Sequence, residues 1–326
     1  MKHSSPIYVA GYRTLLGYHL TQALRRHRFR NVVAESGPDL ADASSTNAFF
    51  AEFGPEYVFM AEGLSGGIGF NLQHPATLMQ NNLVCLSNVL HAAHCKNNIR
   101  LLYLASSCMY PRDAAQPMAV DMLGTGPLEP TSAPYATAKV TGLVLCESYR
   151  REFGCDFITV IPANTFGPGD DFSEEAGHVI PAMIARVHKA KSQDDPEVVV
   201  WGSGKPVRDF LYAADAADAV LFLMRKYSDV RPINIGSGTG VSVAELAYLI
   251  AEVVGYRGKL RFDTSRPDGQ PVKILDSAPL ARLGWKPKTP LRTALEETYN
   301  WFLQPSAGER DVSLPRYGER GVSIPR

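Results

Sequence analysis

Apolar residues in this chain fall first into short unbroken runs, separated by stretches whose apolar positions recur with a helical period. Residues 7 to 10 (IYVA) form one such run, which predicts a strand buried on both faces, and residues 17 to 28 carry helical spacing. A second strand is expected at 31 to 35 (NVVAE), then a polar segment with a helix near 45 to 53, and a third strand at 57 to 61 (YVFMA). A helix over roughly 76 to 96 leads to a strand at 99 to 105 (IRLLYLA). Helix 133 to 153 then leads to a strand at 156 to 161 (DFITVI). Strands alternating with helices at this spacing predict an α/β fold built on a doubly wound parallel sheet.

The alternation breaks after about residue 165. "NTFGPGDDF" reads as a loop, "HVIPAMIARVHKA" as a helix, and "PEVVVWGSGKPVRDFLYAADAADAVLFLM" as strand, turn and helix. "PINIGSGTGVSVAELAYLIAEVVGY" repeats that order, with a Ser or Thr cap before the apolar period. Residues 258 to 303 add a strand, a Pro-rich loop and a last helix. The expected organisation is a dinucleotide-binding domain over 5–165, to which later segments return. A smaller, mainly substrate-binding lobe follows over 166–304, then a flexible tail over 305–326. The tail holds the near-repeats "GERDVSLPR" and "GERGVSIPR", and two copies are too few for a solenoid.

Composition narrows the class. With 45% hydrophobic and 20% charged residues, the chain suits a soluble globular enzyme. Lys+Arg and Asp+Glu balance at 33 each, so no basic surplus points to nucleic acid or an anionic membrane. No run of about eighteen apolar residues is present, and the opening "MKHSSPIYVAG" has too short an apolar run for a signal peptide. Cys85, Cys95, Cys108, Cys146 and Cys155 are scattered without a C-x-x-C pair. They predict reduced thiols in a cytoplasmic protein and no metal site.

The candidate chemistry begins with "PYATAK", where Tyr135 and Lys139 stand at i and i+4 and share one helix face. A lysine ammonium beside a phenol is expected to draw its pKa down toward neutrality, giving a usable proton donor and acceptor. Alone, the spacing fits an ordinary solvated helix equally well. Context favours chemistry: the strand "LLYLASSCMYP" ends in Ser106 and Ser107. In a doubly wound sheet such strand ends face the crevice where dinucleotide and substrate meet. A serine there can donate to a carbonyl oxygen that becomes negative during hydride transfer; otherwise it caps a turn. "YVAGYRTLLGYHL" has the shape of a strand, a phosphate-cradling turn and a helix. It keeps Gly11 and Gly17 of a G-x-x-G-x-x-G loop but carries Thr14 in the middle. It is either a dinucleotide loop that has drifted or an ordinary strand-helix turn.

Five stretches together settle the context: "SSCMYP", "QPMAVDMLGTGPLEPTSAPYATAK", "GHVIPAMIARVHKA", "VVVWGSGKPVRDFLYAADAA" and "RPDGQPVKILD". In order and spacing they resemble the extended short-chain dehydrogenase/reductases, and within them the GDP-L-fucose synthase family, over most of residues 5–303. The resemblance implies an NADP(H)-dependent, homodimeric 3,5-epimerase and 4-reductase that turns GDP-4-keto-6-deoxy-D-mannose into GDP-L-fucose. It implies Tyr135 as proton donor, Lys139 as its pKa partner and ribose ligand, and Ser106 as oxyanion donor. Ala105, Pro162 and Asn164 would line the cofactor, and Cys108 and His178 would exchange protons at C3 and C5, His178 also touching the cofactor. Arg186 and Arg208 would hold the nucleotide diphosphate, with Trp201 and Asp276 as further substrate contacts. Taken singly, Cys108 reads as a small buried hydrophobe, His178 as a helix cap and each arginine as a surface residue.

The chain also departs from that family. Where the family loop reads G-H-R-G-M-V-G, Thr14 adds a β-branched side chain near the pyrophosphate path, which is expected to weaken cofactor binding. At the end of the second strand Glu35 suits the two ribose hydroxyls of NAD and repels a 2′-phosphate, whereas Arg13 keeps a cation for NADP. Glu62 either adds negative charge beside the cofactor cleft or is a solvated loop end, and Val272 replaces an arginine before Lys273. The expected cofactor is NADP(H) from the resemblance, with NAD(H) admitted by Glu35. Two rival functions remain open: the same fold acting on another nucleotide-activated keto-sugar, and a redox-silent binding protein.

Overall fold

The computed structural model describes residues 1–173, 177–266 and 268–304, so the tail expected over 305–326 lies outside the described residues. The first strand, β1 (Ile7–Ala10), is buried at every position, as an unbroken apolar run requires in a sheet covered on both faces. It turns at Gly11 into α1 (Leu15–Arg26), followed by β2 (Val32–Val33), α2 (Ala43–Phe53) and β3 (Tyr57–Met60). A short helix that the polar "GFNLQ" did not announce, α3 (Ile68–Gln73), precedes α4 (Pro75–Lys96). Then come β4 (Arg100–Leu104), α5 (Ala133–Phe153) and β5 (Asp156–Pro162). Proline in the first turn of α4 and of α5 fits the missing N–H of that position, and Gly154 closes α5 in a left-handed conformation.

The chain continues through β6 (Asn164–Phe166), α6 (Val179–Ser192), β7 (Glu197–Trp201), β8 (Val207–Arg208), β9 (Phe210–Tyr212) and α7 (Ala213–Lys226). It ends with β10 (Ile233–Ile235), β11 (Val241–Ser242), α8 (Val243–Val254), β12 (Lys259–Asp263), β13 (Val272–Lys273), α9 (Ala278–Arg282) and α10 (Leu291–Phe302). A Ser242–Glu245 capping box starts α8, where the sequence placed a Ser or Thr cap.

Six strands form one parallel sheet in the order β10-β5-β4-β3-β1-β2. This is the doubly wound sheet that the alternation implied. Strand order reverses between β1 and β3, which opens a crevice at the carboxyl ends of the strands. One core includes Val9, Leu24, Phe59, Leu102 and Ile158 of the sheet region. Helix α7 (Val220, Leu223) and β10 (Ile233, Ile235) join this core, so the later chain returns to the sheet. A second, smaller core gathers Ile184 and Val187 of α6, Val200 of β7, Ile250 of α8 and Leu295 of α10. Among the described residues no helix is long and apolar enough to cross a membrane.

Candidate active site

A cleft of about 960 Å³ opens where the carboxyl ends of the strands meet the second core's elements. Past the end of β4, Ser106 caps one turn of 3-10 helix, its Oγ accepting the Cys108 N–H at 3.2 Å. The same serine hydrogen-bonds Tyr135, so it serves as a turn cap and still faces the cleft. Tyr135 and Lys139 stand one turn apart on α5 and both line the cleft. Lys139 is only 5% exposed; its Nζ donates to Leu104 O at 3.2 Å and lies 5.8 Å from the Tyr135 ring centroid.

The electrostatics correct one expectation. Burial raises the Tyr135 phenol well above its ordinary value, the nearby Cys108 adds to the rise, and the Ser106 hydrogen bond opposes it. Burial also lowers Lys139 to about 8, against the charge of Glu62. Lys139 therefore does not pull the phenol toward neutrality here, because its ammonium lies over the ring and is itself desolvated. Tyr135 keeps its proton at neutral pH.

Cys108 differs from the other buried thiols. Burial pushes its pKa up, but the Lys273 ammonium, with Nζ 3.4 Å from Sγ, and hydrogen bonds from Ser106, Lys273 and Ser132 bring it below the ordinary value. Cys85 and Cys146 have no cation beside them, and burial raises both to about 12. His178 occupies the N-cap position of α6, yet its ring makes no capping hydrogen bond and opens into the cleft. Desolvation lowers its pKa, Asp171 acts to raise it, and Lys273 acts to lower it.

Arg208 on β8 lines the same cleft, and burial lowers its pKa. Trp201, 55% exposed, lies between two guanidinium groups, Arg186 at 5.2 Å and Arg266 at 5.0 Å from its ring centroid. Asp276 is not part of the cleft wall: its carboxylate accepts from Ala278 N–H at 3.0 Å and starts α9. The acid of "RPDGQPVKILD" that does line the cleft is Asp268, gripped by Ser203 N–H at 2.6 Å and Ser203 Oγ at 2.7 Å. The strand pairing of β13 turns Lys273 toward Cys108 and leaves the acid that follows it to cap a helix.

At the other end, Gly11 has φ 88° and lies so close to β3 that a Cβ would collide with the Glu62 backbone. A Cβ on Gly17 would strike Gly11 O, so both glycines are fixed by close packing. Thr14 is the N-cap of α1: its hydroxyl donates to Gly11 O at 2.8 Å and accepts from Gly17 N–H at 3.1 Å. The hydroxyl is therefore spent inside the loop. Leu15 and Leu16, whose first-turn amides have no helical carbonyl to bond, line the cleft beside Arg13 and Thr14. Ala105 lines it just past β4, Pro162 from the end of β5 and Asn164 from the start of β6. This loop and wall fit a dinucleotide.

The two acidic departures also resolve. Glu35 lies outside the cleft wall, its Oε1 2.6 Å from Arg25 Nη2 and hydrogen-bonded to Tyr12, so it does not present a bare charge. Glu62 is not a freely solvated loop end, because it is half-buried and its charge reaches Lys139, Tyr8 and Cys85. Sequence reasoning missed Asp170, Asp268 and the placement of Lys273. All three stand in irregular or very short segments without periodicity, and the D-G turn at Asp268 was their one local signal. No group of three or more metal-ligating side chains that could hold an ion occurs among the described residues.

A parallel doubly wound sheet whose switch-point cleft gathers Ser106, Tyr135 and Lys139 defines a dinucleotide-dependent short-chain dehydrogenase/reductase of the extended kind. Comparison with known proteins refines this. Residues 7–236 match the NAD dependent epimerase/dehydratase family. The chain is 45% identical over 306 residues to putative GDP-L-fucose synthase 2 of Arabidopsis thaliana, covering 93% of each chain. It is 41% identical over 309 residues to GDP-L-fucose synthase of Escherichia coli (strain K12), covering 91% of this chain and 96% of that one. A GDP-L-fucose synthetase structure from Naegleria fowleri bound to NADP superposes with TM-score 0.85 at 30% identity, covering 93% and 95% of the two chains. The chain belongs to the NAD dependent epimerase/dehydratase family and, within it, to the GDP-L-fucose synthases.

Proposed function

We propose that this protein converts GDP-4-keto-6-deoxy-D-mannose to GDP-L-fucose with NADP(H), by epimerisation at C3 and C5 and reduction at C4. One observation carries the reading: the Lys273-activated Cys108 and the uncapped His178 share a cleft with Ser106, Tyr135 and Lys139. A simple ketone reductase needs only the last three.

The C4 carbonyl acidifies the hydrogens on both neighbouring carbons. Cys108 takes a proton from carbon as thiolate, the form that the Lys273 ammonium beside it favours. His178, from the second lobe, delivers a proton to the opposite face. Tyr135 holds its proton on Oη until the C4 oxygen becomes negative, and Ser106 donates to the same oxygen. NADPH, when bound, supplies hydride to C4. Arg13, the Leu15 and Leu16 amides, Ala105, Pro162, Asn164 and Lys139 would hold it, and NADP use is supported by the NADP-bound relative. On the second lobe Arg208 and Arg186 would hold the diphosphate, with Trp201 beside Arg186 as a further substrate contact. In this reading the cofactor lies mainly against residues before about 165 and the sugar nucleotide mainly against residues after it. The outward Val144 (52% exposed) and Phe153 (50%) on α5 support a homodimer, and the unpaired cysteines support a cytoplasmic protein.

The test is turnover of GDP-4-keto-6-deoxy-D-mannose with NADPH in deuterium oxide, read by NMR of the product. The expected product is GDP-L-fucose carrying deuterium at C3 and C5, with Cys108→Ser slowing exchange far more than reduction. A reduced product that keeps both original hydrogens would leave a reductase without epimerase activity.

A further inference from the structure

The loop between β6 and α6 holds a carboxylate that the mechanism above does not use. Asp170 is fixed there from several sides. Its N–H donates to Gly167 O at 3.2 Å, and its Oδ1 accepts from Asp171 N–H at 2.9 Å. The carbonyl of Pro168 is pinned by His19 Nε2 of α1 at 2.8 Å. The side chain is 5% exposed, borders the cleft, and its Oδ2 has no partner among the described residues. A buried carboxylate oxygen without a donor is costly, so a rigidly held one implies a partner that arrives during function.

The nearest candidate is His178, whose Nδ1 lies 4.0 Å from Asp170 Oδ1, the oxygen that already accepts from Asp171 N–H. That is about one ångström beyond an N–H···O bond, a gap that a small turn of the ring closes. Reaching the unpaired Oδ2 needs the imidazole and the carboxylate to turn toward each other. The ring makes no capping bond and its side chain is 52% exposed, which leaves it room to turn. We propose that Asp170 is a positioning residue for His178: it accepts a hydrogen bond from Nδ1, fixes the tautomer, and keeps a proton on the imidazole. The inference rests on the reading in which His178 moves a proton to carbon.

The charges around the pair agree. The N–H of Asp171 on the same loop lowers the proton affinity of Asp170 while its charge acts to raise that of both groups, and Lys273 of β13, paired with Cys108, acts to lower that of His178. Burial lifts Asp170 to about 7, while desolvation takes His178 below its ordinary value. Once hydrogen-bonded to each other, the two groups would titrate as a coupled pair.

The experiment follows the His178 ring by NMR in histidine-labelled protein, with His178→Asn for assignment, and the Asp170 carboxyl carbon in aspartate-labelled protein. In the unaltered protein both signals should show the same titration steps, which needs no variant. In Asp170→Asn the His178 pKa should fall by about one unit or more and the Nδ1–H tautomer should lose its excess. Solvent deuterium incorporation at neutral pH should drop by roughly tenfold, the same shift expressed as a rate. Reduction of an already epimerised ketone should be unchanged. Identical His178 titration with and without the Asp170 carboxylate would overturn the proposal, whatever the activity. Absence of exchange in the unaltered enzyme would instead overturn the functional reading, while the ring titration still decides the pairing.

Discussion

Lys139 carries its charge in a place that disfavours it. The folded protein releases that proton at about 8, whereas an exposed lysine holds it to 10.5. Between those values the unfolded chain binds more protons, so the stability contribution of this group rises with pH and is least favourable below 8. Activity is expected to run the other way, because in the proposed reading Lys139 holds the cofactor ribose as an ammonium. Ketone reduction is expected to decline as pH rises through about 8, and Lys139→Arg should carry the activity that remains to higher pH. A kcat/KM profile flat to pH 10 would contradict this. Tyr135 starts from the opposite condition, protonated throughout this range. Tyr135→Phe keeps the ring and removes the transferable proton, so reduction should fall by ~10²-fold or more in a turnover assay, the usual scale of general acid catalysis.

At the scale of elements, cofactor choice depends on how α1 meets the end of β2. From sequence alone Glu35 opposes a 2′-phosphate, but α1 brings Arg25 to within 2.6 Å of it. Both side chains are about half exposed, so the pairing is worth at most ~1 kcal/mol in a screened setting. That is still several-fold in affinity. Arg25→Ala is expected to uncover the carboxylate and lower the NADPH-to-NADH ratio of kcat/KM by several-fold, and Glu35→Ala to raise it. Steady-state kinetics with each cofactor checks both, and an unchanged ratio in the pair of variants would place Glu35 out of reach of the ribose.

The whole molecule has two cores with a cleft at their meeting, and in the proposed reading one faces the dinucleotide and the other the sugar nucleotide. Each ligand binds the folded chain and not the unfolded one, so at about 100-fold its Kd it adds ~2.7 kcal/mol of stability. For a chain of this size that raises the melting temperature by several degrees, roughly. GDP and NADPH are each expected to give such a shift in a thermal melt. Arg208→Ala should remove the GDP shift and leave that of NADPH, because Arg208 belongs to β8 and is not among the residues proposed to hold the cofactor. Loss of both shifts together would show that the two lobes do not bind independently.

Periodicity by itself determined most of the elements. The runs at 7–10 and 57–61 and the period over 133–153 became β1, β3 and α5, because burial between two layers leaves few other solutions for such patterns. Spacing placed Tyr135 and Lys139 on one face of α5 and Ser106 at a strand end, since those relations are local in the chain. Only tertiary structure decided what depends on distant segments meeting. It set Lys273 against Cys108, Asp170 beside His178, and Arg25 on Glu35, and it chose Asp268 over Asp276 for the cleft. It also raised the Tyr135 pKa that the spacing was expected to lower, because the sign of a pKa shift depends on how far burial outweighs charge, and burial is a property of the whole fold.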